Sequence, residues 1–66
     1  MRVGDLIRDK NYADLAVIIG EKPEQFTVYY MPAKANMYAS RAGAIIDEDV
    51  KELGLHFRVI SPAKEI

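Results

Sequence analysis

Apolar and polar positions alternate most regularly in the middle of the chain. Residues 15–21 (LAVIIGE) and 26–31 (FTVYYM) are short runs rich in β-branched and aromatic side chains, separated by Lys22-Pro23-Glu24-Gln25. That pattern predicts a β-hairpin. Pro23 presets the φ wanted at the second position of a type I turn and donates no N–H, and its charged neighbours keep the turn in water. Period-two spacing places Leu15, Val17 and Ile19 on one face of the first strand, and Phe26, Val28 and Tyr30 on one face of the second. These six are the predicted core. The opposite faces, Ala16, Ile18 and Gly20 with Thr27, Tyr29 and Met31, remain partly apolar, so something must cover them in part. A sheet bent until it closes on itself would do so, and so would a self-association interface.

Towards the start, Val3, Leu6 and Ile7 surround Gly4-Asp5, which breaks strict alternation and predicts a turn or bulge before a short strand. Residues 9–14 (DKNYAD) are polar apart from Tyr12 and Ala13 and read as a loop. At the far end, residues 55–60 alternate Leu55, Phe57 and Val59 against His56, Arg58 and Ile60, then stop at Ser61-Pro62. This predicts a strand with its odd-numbered face buried. Residues 47–54 (DEDVKELG) carry acids first, a lysine later and a glycine after the last apolar residue, which predicts one or two helical turns with Gly54 as C-cap. Ile46, Val50 and Leu53 then fall on one side, placed to plug one end of a barrel. Residues 36–46 fit either a helix capped by Asn36 or a strand through Met37–Arg41. We take the strand, which makes the fold mostly β: a small barrel of five strands with a helical turn before the last. The helix would instead make an α+β hairpin-plus-helix domain.

Sixty-six residues hold one small domain, 1–66, with no room for a second core. Half of the chain is apolar and 29% is charged, a composition suited to folding rather than disorder. There is no cysteine and one histidine, which excludes disulfides, thiol nucleophiles and a histidine-rich metal site. The first twenty residues include Arg2, Asp5, Arg8, Asp9, Lys10 and Asp14, so neither a secretory segment nor a membrane span is expected there, and the expected location is the cytoplasm. The net charge of −1 gives no overall pull toward nucleic acid or anionic lipid.

The stretches VGDLIR (3–8), DLAVII (14–19), FTVYY (26–30) and FRVIS (57–61) span nearly the whole chain. In this order they resemble the Src-homology-3-like small barrels, and within them short bacterial and tailed-phage proteins that open V-G-D-L-[IV]-[RK]. The resemblance implies a binding module, with nucleic acid, ribosomal partners, proline-rich peptides or other protein chains as ligands. A phage-encoded accessory or structural protein, found in the host cytoplasm or the virion, is the version it favours.

Residues 25–46 contain no acid but hold Lys34, Arg41, Tyr29, Tyr30, Tyr38, Phe26, Met31 and Met37. Tyrosine, methionine and arginine are enriched where proteins meet proteins. Tyrosine faces also stack bases while cations meet phosphates, so the same residues suit single-stranded nucleic acid. They also suit plain core aromatics with their hydroxyls at the surface. Tyr29, Lys34, Tyr38 and Arg41 are the candidate partner-binding residues, with a protein partner preferred and nucleic acid as the alternative. Arg2, Arg8, Lys22 and Arg58 extend that surface only where the fold brings them alongside. Two hairpin strands apolar on both sides also raise homo-oligomerisation as a hypothesis. Asp47, Glu48, Asp49 and Glu52 lack the spacing of a calcium loop and read as a solvated helix start. His56 is expected to point outward from the last strand. Ser40 and Ser61 lack a nucleophile elbow and the four glycines are scattered, so no enzyme, cofactor or metal is expected.

Overall fold

A computed structural model describes residues 1–12, 14–31 and 43–63. The elements run β1 (Leu6–Asp9), β2 (Leu15–Lys22), β3 (Gln25–Tyr30), β4 (Ile45–Asp49), α1 (Val50–His56) and β5 (Phe57–Ser61). The fold is therefore mostly β. All neighbouring strands are antiparallel, and the five form one open sheet in the order β4-β3-β2-β1-β5. Among the described residues β4 and β5 are free edges rather than paired with each other, so the expected barrel closure is not among the observed pairings.

The hairpin forms where alternation predicted it, with one consequential departure. Near the turn, Glu21 pairs with Phe26, but further along Ile18 pairs with Val28 and Ala16 with Tyr30. The residue in between, Ile19, is extra in the ladder. One extra residue turns the rest of a strand over, because side chains alternate with a period of two. Ala16 and Ile18 therefore join Phe26, Val28 and Tyr30 in the core, while Leu15 and Val17 are only half-buried and Ile19 is 47% exposed. The predicted core face holds for β3 and is inverted for β2. The turn differs as well. Glu24 has φ 64°, a sign that the third position of a type I turn does not have and that a type II turn requires.

The inner face carries the core. Ile7, Ala16, Ile18, Val28 and Tyr30 on β1–β3, Phe57 on β5 and Leu53 on α1 all lie within it, with Ile46 packed alongside. Leu53 plugs the core as expected, but Val50 faces solvent. The Tyr30 ring meets the Phe57 ring with centroids 6.1 Å apart, and its hydroxyl donates to Glu48 Oε1 at 3.0 Å rather than reaching water alone.

Near the start, Val3-Gly4 form the turn that the broken alternation predicted, and Asp5 N–H donates to the Arg2 carbonyl. Gly4 has φ +98°, and a Cβ there would sit 2.9 Å from Ala63 Cβ, so only glycine fits. The helix starts later than expected. Asp47 and Glu48 belong to β4, where cross-strand partners hold them: Thr27 and Lys22 donate to the Asp47 carboxylate, and Tyr30 donates to Glu48. Asp49 is the N-cap, accepting from the N–H groups of Lys51 and Glu52. Gly54 lies inside α1 instead of capping it, because the helix runs on through Leu55 and His56. Leu55 is consequently 66% exposed on the helix rather than buried on the last strand, and Val59 is also exposed. The strand expected at 37–41 lies outside the described residues.

Candidate functional site

The inner face of the sheet carries the buried core, and among the described residues the outer face carries an apolar row left partly open to solvent. The ladder aligns Leu6 with Val17, Val17 with Tyr29 and Tyr29 with Ile45. These four form an apolar row across four neighbouring strands. Leu6, Val17 and Tyr29 are half-buried, and Ile45 is 65% exposed. The bulge at Ile19 puts Val17 there: without the extra residue it would face inward. Helix α1 delivers Leu53 to the opposite, inner side.

One row along, Arg8 on β1 stands directly opposite Arg58 on β5, and Leu15 stands opposite Arg8 on its other flank. Both arginines are exposed, and among the described residues neither has an ion pair or side-chain hydrogen bond. Like charges opposed on neighbouring strands repel. At the other end of the face the charges are matched: Lys22 Nζ lies 2.7 Å from Asp47 Oδ2, and Thr27 Oγ1 lies 2.6 Å from Asp47 Oδ1. The Lys22 contact, then the Thr27 hydroxyl, hold the Asp47 carboxyl below the usual carboxylate value. The outer face thus carries one neutralised corner and one cationic corner joined by an apolar row.

Of the residues predicted as partner-binding, Tyr29 sits in the middle of this row. Lys34, Tyr38 and Arg41 lie outside the described residues. Leu6, Val17 and Ile45 are the additions, and of the four cations expected to extend the surface where the fold brings them alongside, Arg8 and Arg58 meet one row away. The polar phase of β1 and β5 already set Arg8 and Arg58 outward, but their meeting depends on the first and last strands pairing, which no local pattern encodes.

Two other concavities are less favourable. One, of about 700 Å³, lies between the β2–β3 turn and the start of α1, with Glu21, Lys22, Glu24, Phe26, Asp49 and Lys51 among its walls. Its charges are mixed in sign. The other, of about 360 Å³, lies where Asp9, Glu48, Glu52 and His56 approach. Asp9 Oδ1 already accepts from Asn11 and Tyr12 N–H, and His56, the last residue of α1 rather than a strand residue, has Nε2 3.3 Å from Glu52 Oε2. Among the described residues no group of three or more histidine, cysteine or acidic side chains is arranged to hold a metal ion, and no helix is long and apolar enough to cross a membrane. In comparisons with protein-family models, curated proteins and solved structures, nothing matches this chain.

Proposed function

We propose that this chain is a non-enzymatic protein-binding module, an accessory or structural protein whose contact surface is the outer face of the sheet. The observation that carries it is the apolar row Leu6–Val17–Tyr29–Ile45, which the Ile19 bulge keeps turned away from the core. A half-buried row of this kind gives a partner apolar area, and Tyr29 adds an aromatic of the type enriched at interfaces. The strand order, the pairing of the first strand with the last and the short helix before β5 support a Src-homology-3-like barrel as the finer description of the fold, consistent with the VGDLIR opening.

Nucleic-acid binding through Tyr29, Lys34, Tyr38 and Arg41 is the second reading, favoured by the cationic corner at Arg8 and Arg58. Salt separates the two. Binding through phosphates weakens steeply as salt is added, whereas an apolar and tyrosine contact changes little. The test compares the wild-type chain with an Ile45→Lys variant as bait for proteins of the native host, together with a labelled single-stranded oligonucleotide at low and high salt. The module reading predicts specific protein capture lost in the variant and no oligonucleotide binding. Salt-steep oligonucleotide binding with no variant-sensitive protein would replace it with the second reading.

A further inference from the structure

We infer that the outer edge of β5, unpaired among the described residues and with Arg8 and Arg58 beside it, accepts an extended acidic segment of a partner protein as a sixth strand. The inference rests on the protein-binding reading and names the chemistry of the partner. Edge strands present alternate backbone N–H and C=O groups outward, ready to pair with another chain. The two edges of this sheet are not equivalent. β4 carries Asp47, Glu48 and Asp49, which repel an incoming acidic strand, whereas β5 reads Phe-Arg-Val-Ile-Ser and carries no acid. Val59 is 37% exposed, and Ile60 is the extra residue where the β1–β5 register shifts, so the regular stretch offered is Phe57–Val59, where an added strand gains apolar contact as well as backbone hydrogen bonds. The opposed pair Arg8 and Arg58 supplies the charge complementarity, since among the described residues both guanidinium groups are exposed and unpaired. Arginine's planar fork grips a carboxylate with two parallel hydrogen bonds, and a carboxylate placed between two arginines removes their mutual repulsion.

A second copy of this chain fits the edge less well. Pairing β5 with its own twin brings both copies' Arg8 and Arg58 onto one small surface. The acids of β4 are already engaged within their own fold, Asp47 by Lys22 and Thr27, Glu48 by Tyr30, and Asp49 as the helix cap. Among the described residues single-stranded nucleic acid would meet Arg8 and Arg58 on this face but no row of aromatic platforms, because Tyr29 is flanked by Val17 and Ile45.

The test uses the full chain labelled with ¹⁵N and titrated with a capped eight-residue peptide of alternating Glu and Val. Alternating Lys and Val peptide, and a short single-stranded oligonucleotide, are titrated in parallel. The expected result is amide shifts centred on residues 57–61 with the Glu peptide alone, weakened several-fold by raising the salt. In the exposed double variant Arg8→Glu/Arg58→Glu the preference should reverse to the Lys peptide by roughly tenfold or more, a gain that a misfolded variant cannot produce. Equal response to both peptides, shifts centred on β4, or stronger binding of the oligonucleotide would each overturn the inference. So would a concentration-dependent oligomer, seen by sedimentation, that the double variant abolishes. Should a partner captured in the Ile45→Lys comparison bind the Arg8→Glu/Arg58→Glu chain unchanged, the edge inference fails while the protein-binding reading stands.

Discussion

Ile18 and Ile19 are adjacent in sequence and opposite in surroundings: the first is 1% exposed in the core and the second 47% exposed at the bulge. Truncating Ile18 to Ala removes buried methyl groups and leaves a cavity, so urea denaturation should register a loss of about 2–5 kcal/mol. The same change at Ile19 should stay within about 0.5 kcal/mol. A regular, bulge-free ladder would predict the reverse order. Asp5 offers a second single-residue test. Burial works to raise its pKa, but the N–H groups of Ala63 and Arg2, at 2.7 and 2.9 Å, and the nearby positive charges outweigh burial and hold it below 3.8. A carboxylate with a depressed folded pKa stabilises the fold above its unfolded pKa, and that contribution is lost as pH falls through the folded value. The urea midpoint of the wild-type chain should therefore drop in acid below pH 3.8. Asp5→Asn should lower the midpoint at neutral pH and flatten that acid limb, whereas parallel acid limbs in the two proteins would show that Asp5 is not the group responsible.

The elements differ in how far local sequence determined them. Alternation in residues 15–31 was enough for the hairpin, because both strands are rich in β-branched and aromatic residues around a Pro23 turn. The same pattern could not reveal the bulge, since Ile18 and Ile19 are chemically alike and either can face a core. Asp49 caps the helix as acids at a helix start do, but Asp47 and Glu48 depart from that expectation, because the distant partners Thr27, Lys22 and Tyr30 make them strand residues. The local lack of acids singles out Tyr29, which the structure places on the outer face, while the meeting of Arg8 and Arg58 comes from pairing across nearly the whole chain. Helix α1 gives two tests at this scale. Removing the Asp49 cap by Asp49→Ala should lower stability by about 0.5–2 kcal/mol. Gly54 lies within the helix and a Cβ there meets nothing within 4 Å, so Gly54→Ala should raise stability by about 0.5–1 kcal/mol in thermal denaturation. Destabilisation by Gly54→Ala would return that glycine to a capping role.

At the scale of the whole molecule, one five-stranded sheet has two unlike faces. Its inner face, closed by Leu53 and Phe57, holds the fold together, and its outer face carries an apolar row and a cationic corner. That division depends on a single extra residue in β2, because Val17 and Leu15 would otherwise point inward and the row would be broken at its centre. The most direct measurement is therefore solvent contact of individual methyl groups, read by NMR as line broadening from a soluble paramagnetic agent. The account predicts strong broadening for Ile45, clear broadening for Val17, and none for Ile7, Ile18 and Val28. A protected Val17 beside a broadened Ile18 would contradict it.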